Sequence, residues 1–279
     1  MERVTENKIV LIKRKTRLED LIIRYNTINQ AKFYIEHMGA DFSDYIAENE
    51  EYIQAIENAS KILNTIGIVQ VLDRTFLPNY IFGPNDLVVA IGQDGLVANT
   101  LKYLNNQLLI GVNPDPKRWD GILLPFVVSD LSKIIPETFK NQRKIKEVTM
   151  AKAELNDGQY LYAVNDFFIG QKSHVSARYE IKIRNQKEFQ SSSGIIVSTG
   201  LGSTGWLKSV LTGASSIVNH ISDKKIITQE NYGFEWGSNY LYFSVREPFL
   251  SKTSHTGLVF GRITAKDPLA ILSQMLKMV

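Results

Sequence analysis

Cysteine is absent from the 279 residues, and that one absence removes disulfides, thiolate metal sites and cysteine nucleophiles together. A chain without cysteine fits a reducing interior compartment. Excess charge of one sign is also wanting: 32 Lys and Arg face 29 Asp and Glu, and a formal charge of +3 is too small for a wrapping contact with nucleic acid. No apolar run is long enough to span a bilayer. The start, Met1-Glu2-Arg3-Val4-Thr5-Glu6, has no apolar signal core and carries acids that an import presequence avoids, so a cytoplasmic protein without a membrane partner is expected. Two familiar nucleotide signatures are lacking as well. No glycine-rich run closes on Gly-Lys-Ser/Thr, so no Walker loop is there to cradle phosphates. Where a dehydrogenase carries its glycine fingerprint after the first strand, Lys13-Arg14-Lys15 stands instead, which excludes hydride chemistry of that kind. The four histidines, His37, His174, His220 and His255, show no ligand spacing, so no metal held by the protein is expected.

What is present reads as two domains, since a hydrophobic content of 44% over this length suits two moderate cores. Ile9-Val10-Leu11-Ile12 and Leu87-Val88-Val89-Ala90-Ile91 are continuous apolar runs of the kind buried on both faces of a parallel sheet. Between them the spacing predicts one long helix from Leu18 through Ile35 to Gly39, a second helix over 43–65, and a strand at Ile68–Leu72. Leu108-Leu109-Ile110 begins a further strand that ends at Gly111-Val112-Asn113. Strands alternating with helices imply a doubly wound, Rossmann-like sheet over residues 1–121. After Gly121 the texture becomes one of short alternating segments and turns such as Asn156-Asp157-Gly158, which implies a β-rich, sandwich-like domain over 122–263, broken by one helix starting near Ser203. The segment 264–279 is expected to complete the first domain, with a terminal helix from Pro268 to Met278.

Ligands of doubly wound sheets gather beyond the carboxyl ends of the strands. Gly92-Gln93-Asp94-Gly95 and Asn113 both fall there. A glycine turn lets backbone N–H groups approach phosphates, and an aspartate in it can take a proton or meet a metal; the same pattern is also the ordinary chemistry of a turn. Lys13, Arg14, Lys15 and Arg17 follow the first strand, and Arg118 follows Asn113; they suit a polyphosphate and equally a solvated edge. In the β-rich half, Ser198-Thr199-Gly200-Leu201-Gly202-Ser203-Thr204-Gly205-Trp206 joins a strand to a helix. It offers more hydroxyls and bare amides than one helix cap uses.

Taken in order, these stretches resemble NAD kinases, of the NAD kinase and diacylglycerol kinase-like superfamily. There a Gly-Gly-Asp-Gly turn in an α/β domain precedes an Asn-Glu pair and a Thr-Gly-Ser-Thr loop in a β domain. The counterparts here are Gly92 to Gly95, Asn165-Asp166, and Thr199 to Trp206. The resemblance runs nearly the whole chain and is closest to the mitochondrial-type branch, through Lys15-Thr16-Arg17-Leu18-Glu19, Gly111 to Pro116, Ser192-Ser193-Gly194 and Val245-Arg246-Glu247-Pro248.

The resemblance implies ATP-dependent phosphorylation of the adenosine 2′-hydroxyl of NAD, with the two substrates meeting at a cleft between the domains and Mg²⁺ delivered with ATP. Asp94 is then the acid that orients or deprotonates the hydroxyl. Gly92 and Gly95 line the phosphates, with Asn113 beside them. Asn165 meets the adenine or its ribose, Asp166 replaces a glutamate, and Thr199, Gly200, Ser203 and Thr204 complete the NAD pocket. Two departures stand out: Gln93 replaces a glycine, donating its amide to a phosphate or narrowing the site, and Leu96 replaces a threonine. A homodimer or larger homo-oligomer is implied as well. Two alternatives stay open, a lipid or sugar kinase of the same superfamily and a non-catalytic NAD-binding protein.

Overall fold

The computed structural model describes residues 5–222 and 233–275, and the chain divides into two compact units, Met1–Lys144 and Ile145–Val279. The first unit runs β1 (Lys8–Lys13), α1 (Arg17–Tyr25), α2 (Ile28–His37), α3 (Ser43–Ile66), β2 (Ile68–Asp73), β3 (Leu87–Ile91), α4 (Asp94–Leu101), β4 (Leu109–Asn113), β5 (Phe126–Val127) and α5 (Leu131–Phe139). Its five strands are parallel in the order β2-β1-β3-β4-β5. Successive residues of β1 and β3 point to opposite faces, and both faces are covered. Ile9, Leu11, Val89 and Ile91 pack with Ala59 and Leu63 of α3 and Ile134 and Ile135 of α5, whereas Val10, Ile12, Val88 and Ala90 pack with Leu96 and Val97 of α4 and with Leu77 and Phe82. This two-sided burial is why these strands are apolar throughout, and each fully buried aliphatic side chain contributes about 1.5–3 kcal/mol by leaving water. The direction of winding reverses between β1 and β3, so their carboxyl ends open the crevice in which such sheets bind ligands.

Three expectations about this half are corrected. The single long helix over 18–39 is two: Asn26 closes α1 in the left-handed region at φ 66°, and the Thr27 side chain accepts from Gln30 N to start α2. The first unit does not stop at Gly121, because β5 extends the parallel sheet beside β4 and α5 packs on α3. The carboxyl-terminal segment does not complete it either. Leu269–Ser273 is a strand, β14, not a helix, and it pairs antiparallel with a strand of the second unit; the last residues of the expected helix, 276–278, lie outside the described residues.

The second unit runs β6 (Ala151–Glu154), β7 (Tyr160–Ala163), β8 (Asp166–Ile169), β9 (Ala177–Ile183), β10 (Gln186–Ser192), β11 (Gly194–Ser198), α6 (Trp206–Ile221), β12 (Tyr240–Arg246), β13 (Phe260–Thr264) and β14. A three-stranded sheet, β10-β9-β14, and a four-stranded sheet, β13-β12-β11-β8, share one core. In it Tyr179, Ile181 and Ile271 of the first meet Ile195, Val197, Phe243 and Val245 of the second. That is the expected β-sandwich. Among the described residues no helix is long and apolar enough to cross a membrane.

Candidate functional site

The turn after β3 carries Asp94 as the first residue of α4, with Gln93 capping the helix through its backbone and making no side-chain cap bond. The first N–H groups of a helix have no acceptor inside it, and the helix dipole makes that end attractive to anions. Gly95 is exposed and a Cβ there would meet nothing within 4 Å, so the turn is open on that side. The carboxylate of Asp94 is fixed: Oδ1 accepts from Leu123 N at 2.7 Å and Oδ2 from Ile122 N at 3.2 Å. Gly111 in β4 permits that arrangement, since a Cβ on it would lie 2.0 Å from Leu123 O. Asn113 is turned to a different task. Its Nδ2 donates to Trp119 O at 2.8 Å and its Oδ1 accepts from Asp115 N at 3.1 Å, so both ends of its amide shape the loop after β4.

The cations after β1 are organised by acids of α3, which the sequence reading did not single out. Glu48 is 4% exposed and binds Arg14 Nη2 at 2.9 Å and Arg17 Nε. Burial pushes its carboxyl up, but the hydrogen bonds and charges of Arg14 and Arg17 outweigh burial and hold it below the usual range. Asp44, 43% exposed, binds Arg17 Nη2 at 2.7 Å and Arg118 Nη1 at 2.6 Å, and these hydrogen bonds depress its carboxyl too. Arg118 is also held by Asp115 at 3.3 Å. Ion pairs as exposed as those of Asp44 are worth about 0–1 kcal/mol each, whereas the Glu48 pairs cannot be opened without stranding buried charge. Tyr52 ties the same edge together, accepting from Arg14 N at 2.9 Å and donating to Ile91 O at 2.8 Å; burial pushes its hydroxyl up to about 12. Arg14 is 9% exposed and its Nε has no hydrogen-bond partner among the described residues. That Nε lies 3.7 Å from where a Cβ of Gly92 would be, so the orphaned donor sits against the glycine turn. Lys13 ends β1 opposite Asp73 of β2.

In the second unit, the loop after β11 interlocks with the loop between β7 and β8. Thr199 N donates to Asn165 O at 3.0 Å, and Thr199 Oγ1 donates to Val164 O at 2.5 Å while accepting from Gly202 N at 3.1 Å. A Cβ on Gly202 would fall 2.2 Å from Asn165 O, and one on Gly200 2.0 Å from Glu235 O. Ser203 Oγ donates to Gly200 O at 2.7 Å and accepts from Phe234 N at 3.2 Å. Thr199 and Ser203 thus build the loop, whereas the side chains of Asn165 and Thr204 face outward. Asp166 is the unsettled member of the group: its Oδ1 is buried without a hydrogen-bond partner among the described residues. Burial pushes its carboxyl up, with only the Ser198 hydroxyl opposing. An acid whose folded value is raised loses stability as pH climbs from its unfolded value, about 4, towards the folded one. Asp166→Asn is therefore expected to melt higher than the parent at pH 7, with the gap closing as the pH of a melting series falls towards 4. A gap independent of pH would contradict this.

Among the described residues no group of three or more His, Asp or Glu side chains is arranged to hold a metal ion. No family model matches the sequence, and no curated protein matches it either. Solved structures do. An NAD kinase from Archaeoglobus fulgidus in complex with ATP aligns over 95% of this chain and 80% of its own, with a TM-score of 0.51 and 13% identity. A yeast NADH kinase complexed with NADH aligns over 97% of this chain and 69% of its own, with a TM-score of 0.49 and 15% identity. With its parallel β2-β1-β3-β4-β5 sheet and its β-sandwich, the chain has the fold of the Archaeoglobus fulgidus NAD kinase.

Proposed function

We propose that the chain transfers the γ-phosphoryl group of MgATP to the 2′-hydroxyl of the adenosine ribose of NAD, giving NADP and ADP. The observation that carries this reading is Asp94, a carboxylate clamped by two backbone amides at the start of a helix beside an open glycine turn. Phosphoryl transfer passes through a loose transition state and asks the protein mainly for position and charge. A carboxylate already accepting two N–H groups is held in a fixed place. Each of its oxygens keeps a lone pair with which to hold the acceptor hydroxyl in line and take its proton as the new P–O bond forms. The γ-phosphorus–oxygen bond breaks towards ADP.

The donor phosphates lie along the turn from Gly92 to Gly95, where the orphaned Arg14 Nε supplies a buried donor and the Gln93 side chain, engaged in no cap, supplies another. Arg17 and Arg118 add charge at the same edge. Asn113 acts through the loop it braces, not by direct contact. Mg²⁺ comes as part of the nucleotide, bound chiefly by phosphates and water. NAD is held by the second unit, by Asn165 and Thr204 at the surface of the interlocked loops, with a ribose hydroxyl answering the unpartnered Asp166 Oδ1. Thr199, Gly200 and Ser203 hold those loops in shape. A homo-oligomer in the cytoplasm accords with the family resemblance.

Gly95→Ala separates this reading from a plain turn. The position is helical and open, so alanine should leave the melting temperature unchanged or raise it, a glycine inside a helix costing about 0.5–1 kcal/mol. The same methyl stands where phosphates approach, and the KM for ATP should rise by roughly tenfold. A variant that is more stable and binds ATP as well as the parent would contradict the assignment of the turn. The activity itself is tested by supplying MgATP with NAD, a diacylglycerol or a sugar and following ADP. Release of ADP only with NAD, with NADP as the product, is expected; turnover with the lipid or the sugar alone would replace the acceptor.

A further inference from the structure

Three arginines follow β1 and β4, with Arg14 lying against the glycine turn, and they are not held alike. Arg14 is bound to buried Glu48 and is not exchangeable. Arg17 is gripped at Nε by the same Glu48, which leaves its Nη2 edge on Asp44 at 2.7 Å. Arg118 is gripped at Nε by Asp115, which leaves its Nη1 edge on the other oxygen of Asp44 at 2.6 Å. Asp44 therefore sits between two guanidinium groups that other carboxylates already aim, one per oxygen, in the geometry that two oxygens of a phosphate would adopt. It is also the exposed member, at 43% against 4% for Glu48, so its contacts are the ones solvent and competing anions reach.

We infer that Asp44 is an internal counter-anion, displaced from Arg17 and Arg118 when the triphosphate chain of the phosphoryl donor binds. This rests on the proposal that the donor binds at this edge. With the site empty, Asp44 keeps two like charges together without large repulsion; when a triphosphate arrives, its greater charge takes both guanidinium edges and Asp44 swings into solvent from the first turn of α3. The carboxylate thus sets the donor affinity by competing for the same donors, and its removal should tighten binding instead of loosening it. A carboxylate that merely braced the arginines would have the opposite effect.

The test is calorimetric titration of the full chain with inorganic tripolyphosphate and with ATP at fixed ionic strength, for the parent, Asp44→Ala, Asp44→Asn and Glu51→Gln. Glu51 is an exposed residue of the same helix and changes the net charge equally while standing outside the network. Both Asp44 variants are expected to bind tripolyphosphate roughly three- to tenfold more tightly, the scale of one or two exposed ion pairs, with Glu51→Gln unchanged. A parallel gain for ATP assigns the donor as a nucleotide, and a gain for tripolyphosphate alone assigns it as an inorganic polyphosphate. Unchanged or weaker binding in both Asp44 variants, an equal gain in Glu51→Gln, or no tripolyphosphate binding in any variant overturns the inference. Because the readout is binding, a chain that never phosphorylates NAD yet shows the gain would refute the acceptor and leave Asp44 standing. Turnover with unmoved affinity would do the reverse.

Discussion

Asp94→Asn is expected to lower kcat for NAD phosphorylation by about 10²–10⁴-fold, the span of a positioned acid–base group, while the KM for ATP moves little. The amide is nearly isosteric and keeps one oxygen to accept from Leu123 N, but it turns an NH2 towards Ile122 N–H, so that two donors face each other. Some loosening of residues 121–123 is therefore built into the variant, and a melting curve recorded alongside the kinetics separates it from the chemical loss. If turnover stayed within about threefold of the parent, Asp94 would be a turn residue and the base would have to be sought elsewhere.

The second large effect is on stability. Glu48→Ala removes the carboxylate that, among the described residues, holds Arg14 Nη2 and also frees Arg17 Nε, leaving a 9% exposed guanidinium with Lys15 O and the Tyr52 ring beside it. Breaking a buried pair from one side costs about 3–5 kcal/mol, a large part of the 5–15 kcal/mol that a folded domain has in hand. Urea denaturation should show the midpoint falling with an unchanged slope; a loss under about 1 kcal/mol would mean that water solvates Arg14 after all. The pH dependence has a definite sign. Glu48 and Asp44 are both depressed in the folded state, so their contribution is complete above the ordinary carboxylate range and is lost as pH falls below about 4. Glu48→Ala should therefore differ most from the parent near neutrality and converge on it in acid.

The parallel half of the fold was legible because its strands bury both faces: Ile9–Ile12 and Leu87–Ile91 have no polar residue to confuse with a loop. The break between α1 and α2 was hidden by apolar residues that keep helical spacing across it, although Asn26-Thr27 carried the signal, a left-handed closer followed by a cap. β14 was misread because Leu269-Ala270-Ile271-Leu272 is a short apolar run with no period of its own, and only its pairing with β9 decides between strand and helix. β10 is hard to read from sequence for the opposite reason. Gln186–Ser192 has one large apolar residue, exposed Phe189, and its buried Gln190 is satisfied by Tyr179, Glu188 and Leu258 O, partners remote in sequence or visible only in three dimensions.

The site divides in the same way. Asp94 and the hydroxyl-rich loop could be named from local pattern, because turns and caps are written in adjacent residues. Glu48 and Asp44 could not, since α1 and α2 separate them from Arg14 and Arg17, Arg118 lies 74 residues after Asp44, and nothing in α3 marks them as different from its other acids. Nor could the sequence say that Asn113, Thr199 and Ser203 spend their polar groups on loop structure. Their residue types suit a ligand and a loop equally, and the hydrogen-bond partners make the choice.

The most direct measurement follows the radiolabel from γ-³²P-ATP into the dinucleotide fraction and, on product made from unlabelled ATP, locates the new phosphate by ³¹P NMR. The parent chain is expected to form a phosphomonoester at the adenosine 2′-oxygen of NAD, and Asp94→Asn to do so at a small fraction of the rate. Label remaining in ATP or inorganic phosphate while NAD is recovered unchanged would contradict it.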